Sequence, residues 1–161
     1  MWQYMDTGFQ PAAFNMAFDE SLASGLGATP GRSILRVYGW RPHAISIGFN
    51  QRMEDFDTPA LARAGIDIVR RPTGGRAIFH AHELTYSVVL HAEGKGVREI
   101  YRYIGQGLLR GLQLLGIDAE IFVASAVELM KRGVVTGRCK TYRPGVATGS
   151  FIVPGADFEF C

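Results

Sequence analysis

The chain has 161 residues, of which 47% are hydrophobic and 20% are charged. This length and composition are typical of one globular domain with a buried core, and they exclude a disordered chain, a collagen-like fibre and a two-domain enzyme. The formal net charge of +2 indicates neither a nucleic-acid nor a membrane partner, so we expect neither.

The N-terminal segment predicts a strand followed by a helix. Weak alternation predicts a short strand over 2–7. Apolar residues at helical spacing predict a helix that begins at Pro11 and stops at Gly25 and Gly27. The acidic pair Asp19–Glu20 lies on this helix, and we expect it to be solvated or to cap a helix end.

The next part of the chain predicts two strands, a short helix and a third strand. The β-rich runs 33–38 and 44–49 are expected to be strands of one sheet. Thr58 is the expected N-cap of the short helix, and Gly65 is its expected stop. A strand over 66–69 follows.

The second half predicts a strand pair and the longest helix. The strands are expected over 77–79 and 84–90, paired with each other. An apolar stripe predicts a helix over 97–115 that Gly116 ends. We expect one more strand over 117–123, and beyond residue 124 the periodicity fades.

Strands and helices in this irregular alternation predict an α+β (α/β) fold with a central mixed β-sheet flanked by helices. A doubly wound dinucleotide-binding fold is disfavoured, because no G-x-G-x-x-G follows the first strand. The chain contains no internal repeat, low-complexity tract or linker, so we expect a single domain over 1–161.

The densest chemical signal is the segment 70–76, with the sequence R-R-P-T-G-G-R, which we call the Gly-Gly loop. Paired glycines let the backbone approach a ligand closely, and arginines offer charge-assisted hydrogen bonds to carboxylate or phosphate. The loop therefore predicts a site for an anionic or carbonyl-bearing group. The alternative is a hairpin turn with a solvated basic rim.

Two histidines follow this loop. His80 could donate to a carbonyl or act as an acid or base, although hydrogen bonding to the backbone is the commoner role. His80 and His82 have no evident third ligand, so we expect no metal site.

The two cysteines are the candidate soft nucleophiles. Cys139 lies between Arg138 and Lys140, whose charges favour a thiolate, whereas Cys161 is the last residue and its carboxylate opposes ionisation of the thiol. Neither cysteine completes a C-x-x-C pair, and no apolar run reaches the roughly 18 residues of a membrane span. Residues 1–10 carry Asp6 and lack the apolar stretch of a signal peptide. We therefore expect a reduced, cytoplasmic protein.

Five segments, taken in order, resemble the lipoate–protein ligase and octanoyltransferase group of the biotin/lipoate ligase superfamily. The resemblance covers roughly residues 2–120. The five segments are Asn15–Glu20, Tyr38–Pro42, Ser46–Gln51, Arg70–His80 and Glu83–Val88.

This resemblance implies a mixed-sheet fold with an acyl-binding tunnel and a reaction that attaches octanoyl or lipoyl to a lysine. The acceptor would be a lipoyl domain or a glycine-cleavage H-type protein. In the family the Gly-Gly loop lies over the acyl carbonyl or the acyl-adenylate. The implied substrate-binding residues are Arg71, Thr73, Gly74, Gly75, Arg76, Ala77 and His80.

Arg76 stands where ligases of the family commonly carry a third glycine, so the loop looks more like that of octanoyltransferases. Those enzymes take the acyl chain from acyl carrier protein through a cysteine thioester, without ATP or another cofactor. By order along the chain, Cys161 matches the catalytic cysteine.

Two other readings stay open. An ATP-dependent lipoate ligase would use Arg71 and the loop amides to hold an adenylate, with ATP and Mg as cofactors. A truncated acyl-binding member would be weakly active or inactive, because the family's Gly-Arg-Lys segment after the cysteine is absent and 137–140 resembles it only superficially. We accordingly expect the domain to be incomplete at its C-terminus.

Overall fold

The computed structural model describes residues 1–26, 31–91, 94, 97–116, 136–142 and 146–152. Within these residues the strands fall into two mixed sheets, and helices lie against them. The strands are β1 (Trp2–Gln10), β2 (Ser33–Trp40), β3 (Ala44–Ile47), β4 (Asp67–Arg70), β5 (Ile78–His80), β6 (Thr85–His91), β7 (Thr136–Tyr142) and β8 (Val146–Ile152). The α-helices are α1 (Ala12–Leu26), α2 (Thr58–Arg63) and α3 (Val97–Leu114), and a 3₁₀ turn covers Met53–Asp55.

The larger sheet has the order β1-β2-β6-β8-β7, in which β1 and β2 are parallel and the other pairs antiparallel. The smaller sheet has the order β4-β3-β5, in which β3 is parallel to β4 and antiparallel to β5. Both sheets are therefore mixed, and the predicted α+β fold class is confirmed. The strand expected over 117–123 lies outside the described residues.

The expectation that the second and third strands share one sheet is wrong, and so is the expected pairing of β5 with β6. The β2–β3 connection and the β5–β6 connection both cross between the two sheets, and they do so at the same place. There the ring of Trp40 stacks on the ring of His80 at 4.0 Å between centroids, and Trp40 Nε1 donates to Thr85 Oγ1 at 2.8 Å. These buried contacts hold the end of β2 and the start of β6 beside the smaller sheet.

The predicted helices are confirmed within a few residues, with one correction at a cap. The N-cap of α2 is Asp57 rather than Thr58, because the Asp57 carboxylate accepts the backbone N–H of Ala60 at 2.9 Å. Gly65 and Gly116 have φ of +66° and +75° and end α2 and α3 as expected. Among the helices of the described ranges, none has the length and apolar character that crossing a membrane requires.

The core of the larger sheet contains a buried ion pair that the sequence analysis missed. The Arg36 guanidinium is fully buried and donates to Asp19 Oδ1 at 2.7 Å and to Asn15 Oδ1 at 2.6 Å. Asp19 also accepts from Tyr38 and Ser87, so its expected solvated role is wrong. Burial and the neighbouring Asp19 carboxylate raise the pKa of Tyr38 well above its usual value, which keeps the phenol neutral.

Removing the partner of a buried charge is more costly than removing an exposed charge. We predict that Asp19→Ala lowers the free energy of unfolding by about 3 kcal/mol, since Arg36 stays buried without its carboxylate. Glu20→Ala is the matched control, because Glu20 is exposed on the same helix and should change stability little. Urea unfolding measures both variants, and equal effects would contradict the assigned role of Asp19.

Candidate active site

The Gly-Gly loop leads from the end of β4 into β5, and both of these strands pair with β3. The loop is therefore held against the segment that follows β3. Two backbone hydrogen bonds join them, from Arg71 N to Ile47 O and from Phe49 N to Thr73 O, each at 2.9 Å. These main-chain hydrogen bonds attach the loop to the end of β3 and to the segment that follows it.

The Arg71 guanidinium lies inside the loop and is 7% exposed. It donates to Ser46 O at 2.6 Å, to Gly74 O at 3.0 Å and to Arg76 O at 2.5 Å. A weaker contact joins it to Ser46 Oγ at 3.2 Å. These bonds give Arg71 a structural role in shaping the loop, and a direct substrate contact by Arg71 stays a prediction.

The other two arginines of the loop differ in their surroundings. Arg70 Nη1 donates to three carbonyls of the neighbouring segment, those of Gly48, Phe49 and Gln51. The Arg76 side chain is exposed, and no hydrogen bond or ion pair joins it to another residue of the described ranges. Arg76 is therefore the arginine of this loop whose guanidinium is accessible to an external anionic group.

The two glycines of the loop differ in what the structure demands of them. Gly75 has φ of +96°, a conformation that favours glycine. Gly75 also lies directly against the buried Gly48, where a Cβ would overlap the carbonyl oxygen of Gly75. A Cβ on Gly74 would meet only open space. The close backbone approach that the structure shows at this loop lies within the chain, between Gly75 and Gly48.

The inward direction of two loop carbonyls fixes the direction of two loop amides. In a trans peptide the C=O of one residue and the N–H of the next point to opposite sides. Because the carbonyls of Gly74 and Arg76 face the Arg71 guanidinium, the N–H groups of Gly75 and Ala77 point away from it. Such a pair of amides is the kind of donor that holds a carbonyl or oxyanion.

His80 is 5% exposed, and side chains satisfy both nitrogens of its ring. Its Nδ1 lies 2.6 Å from Glu83 Oε1, and its Nε2 lies 2.8 Å from Ser46 Oγ. Thr85 Oγ1 donates to the same Glu83 oxygen at 2.8 Å. His80 therefore bonds to side chains, whereas a buried histidine more commonly bonds to the backbone.

The remaining candidates are Thr73, Ala77, His82 and the two cysteines. Thr73 and Ala77 are half-buried in and beside the loop. His82 is exposed, and its ring contacts His43 rather than His80. Cys139 lies in β7 opposite Gly149, and Cys161 lies outside the described residues. No group of three His, Cys, Asp or Glu that could hold a metal occurs in the part of the chain that the structure describes.

Sequence reasoning assigned no role to Ser46, Gly48 or Glu83, although each belongs to a segment that carries the resemblance. One signal could have found Ser46. In the run Ala44–Ile47 it occupies an inward position of a buried strand, where a polar side chain needs a hydrogen-bond partner. The partner itself, 34 residues away, could not be read from local sequence.

Comparison with known proteins identifies close relatives. A family model of the lipoyl protein ligase A/B catalytic domain matches residues 11–140. An octanoyltransferase LipM from Geobacillus kaustophilus is 44% identical over 80% of this chain and 48% of its own length. Another from Kyrpidia tusciae is 48% identical over 74% of this chain and 45% of its own length. The chain thus spans about half the length of these curated relatives.

Solved structures share the fold. A putative lipoate protein ligase from T. acidophilum superposes with a TM-score of 0.78 at 21% identity, covering 98% of this chain and 70% of that one. A lipoate-protein ligase A bound with ATP gives a TM-score of 0.77 at 21% identity, covering 98% of this chain and 68% of that one. The fold class predicted from the sequence is confirmed by these matches.

The contact between Gly48 and Gly75 can be tested by adding one methyl group. We predict that Gly48→Ala displaces the Gly-Gly loop and lowers the free energy of unfolding by about 1–3 kcal/mol, because backbone atoms must move to admit the Cβ. Gly74→Ala is the control, since its Cβ would enter open space. Thermal unfolding compares the two, and equal stability of both variants would contradict the close approach.

Proposed function

The chain belongs to the lipoyl protein ligase A/B catalytic-domain family, and from this premise we propose that it is an octanoyltransferase. It moves an octanoyl group from acyl carrier protein to a lysine of a lipoyl domain or of a glycine-cleavage H-type protein. The observation that carries the proposal is which proteins share the higher sequence identity with this chain. Curated proteins that are 39–48% identical to this chain are octanoyltransferases, whereas the lipoate ligases that share its fold are 21–23% identical.

The geometry of the Gly-Gly loop supports binding of an acyl carbonyl. The N–H groups of Gly75 and Ala77 point away from Arg71, and Gly75 lies at an exposed part of the loop. Fixed amides of this kind stabilise the negative charge that develops on a carbonyl oxygen during acyl transfer. The exposed Arg76 guanidinium beside them suits an anionic group on the donor.

The reaction runs through a thioester exchange followed by aminolysis of the acyl-cysteine. A cysteine thiolate attacks the carbonyl carbon of the octanoyl thioester, and the carrier's thiolate leaves and takes up a proton. The ε-amine of the acceptor lysine then attacks the acyl-cysteine, an amide forms, and the cysteine thiolate is released as the amine loses its proton. Because the thioester already carries the activated acyl group, the reaction needs no ATP. We assign the nucleophile to Cys161, with Cys139 as the alternative.

The partners and the compartment follow from this reaction. We propose octanoyl-acyl carrier protein as donor and a cytoplasmic lipoyl domain or H-type protein as acceptor. One support is an archaeal neighbour of 23% identity and TM-score 0.74, a bi-partite lipoate protein ligase studied together with its E2 lipoyl domain. A protein of the same fold is thus paired with a lipoyl domain, which supports a lipoyl domain as acceptor here.

Acylation of the protein tests the proposal directly. Incubation with octanoyl-acyl carrier protein should add one octanoyl group, which intact mass detects and peptide mapping locates. Neutral hydroxylamine should release the group, as expected for a thioester. Cys161→Ser should abolish the adduct, and Cys139→Ser, which changes the other thiol in the same way, should leave it intact.

Addition of a lipoyl domain should then move the octanoyl group to its lysine, and a Lys→Arg version of that domain serves as control. Acylation of the domain from free lipoate or octanoate only with Mg-ATP would replace the transferase by a ligase. An adduct that persists when both cysteines are changed to serine would disprove the cysteine mechanism.

A further inference from the structure

A continuous series of hydrogen bonds runs from the Gly-Gly loop to the larger sheet. It passes from the Arg71 guanidinium to Ser46 Oγ at 3.2 Å, from Ser46 to His80 Nε2 at 2.8 Å, and from His80 Nδ1 to Glu83 Oε1 at 2.6 Å. All four side chains are buried, with exposures between 2% and 7%. The octanoyl-transfer chemistry described above uses neither Ser46 nor Glu83.

The donors along this series all point the same way. Arg71 can only donate, so Ser46 Oγ accepts from it. A carboxylate can only accept, so His80 Nδ1 donates to Glu83, and when the ring is neutral its Nε2 accepts the Ser46 hydroxyl proton. The positive charge of Arg71 is thereby linked to the negative charge of Glu83 through the side chains of Ser46 and His80.

Ser46, His80 and Glu83 have the order of a serine nucleophile, its base and an orienting acid. The surroundings argue against that role. Ser46 is 2% exposed within a paired strand, and its oxygen already receives an N–H from Arg71. A nucleophile must reach a substrate carbonyl, and this hydroxyl faces the protein interior.

The position of the series indicates what it does. Ser46 lies in β3 and His80 in β5 of the smaller sheet, while Glu83 is held by Thr85 of the larger sheet. At the other end, Arg71 holds the carbonyls of Gly74 and Arg76. We propose that Ser46 and His80 are positioning residues, which hold the Gly-Gly loop in its binding conformation by connecting Arg71 to Glu83. The effect on acyl transfer rests on the proposed function, but the effect on the loop does not.

A matched pair of serine variants tests the proposal. Ser46→Ala removes the connecting hydroxyl and keeps the backbone carbonyl that Arg71 also uses. Ser87→Ala is the same change at another serine, equally buried at 2% exposure, whose hydroxyl donates to Asp19. Ser46→Thr restores a hydroxyl and should rescue the loop.

Hydrogen exchange of the amides of Arg71 and Phe49 reports loop position without reference to catalysis, because each is bonded across the loop. We expect about tenfold faster exchange of these amides in Ser46→Ala, and wild-type rates in Ser87→Ala and Ser46→Thr. His80→Asn and His80→Gln should each accelerate exchange, since each amide side chain can replace only one of the two ring nitrogens. Unchanged exchange in Ser46→Ala and in both His80 variants would overturn the proposal.

Kinetics then separate positioning from chemistry. For octanoyl-acyl carrier protein, Ser46→Ala should lower kcat as well as raise KM, because the loosened amides both hold the acyl carbonyl and stabilise the charge that develops on it, and Ser46→Thr should recover both. Modification of Ser46 by phenylmethylsulfonyl fluoride would overturn the positioning role by making Ser46 a nucleophile. Absence of any acyl transfer by the wild-type chain would refute the proposed function, and the exchange data would still decide the role of Ser46 and His80.

Discussion

The Arg71 guanidinium inside the Gly-Gly loop is the interaction on which the candidate site depends. A buried cation is tolerated only when hydrogen bonds replace its lost hydration, and Arg71 finds them on carbonyls of β3 and of its own loop. Satisfying Arg71 turns the carbonyls of Gly74 and Arg76 inward. The adjoining amides must then face the other way, so one buried charge determines which backbone groups the loop offers to a ligand.

The same arrangement explains why the neighbouring positions are restricted. Gly75 can lie against Gly48 only because Gly48 carries no Cβ, and Arg70 holds the 48–51 segment by its carbonyls. Ser46 and His80 extend the network to Glu83 at the junction between the sheets. Loop, smaller sheet and junction thus act as one unit, which suits a site that must hold a carbonyl in a fixed position for acyl transfer.

The sequence predicted those features that local chemistry determines. Helix ends at Gly65 and Gly116 and the place of the Gly-Gly loop between two strands could be read from a few adjacent residues. The division of strands between two sheets could not, because it depends on contacts such as Trp40 with Thr85, 45 residues apart. The burial of Asp19 could not be read either, because it depends on the distant Arg36. A charged residue on a helix is usually solvated, which is what the sequence predicted. The structural role of Arg71 could not be predicted, because its acceptors are backbone carbonyls that the fold brings to it, and its contact with substrate stays a prediction.

In the proposed reaction, the outward-facing amides of the Gly-Gly loop receive the carbonyl of an octanoyl thioester. Titration of the ¹⁵N-labelled protein with a non-hydrolysable ketone analogue of octanoyl-pantetheine tests this directly. We expect saturable shifts of the amide resonances of Gly75 and Ala77, while the resonance of Gly116 at the end of α3 stays in place. Saturable binding that shifts resonances elsewhere and leaves Gly75 and Ala77 unchanged would contradict it.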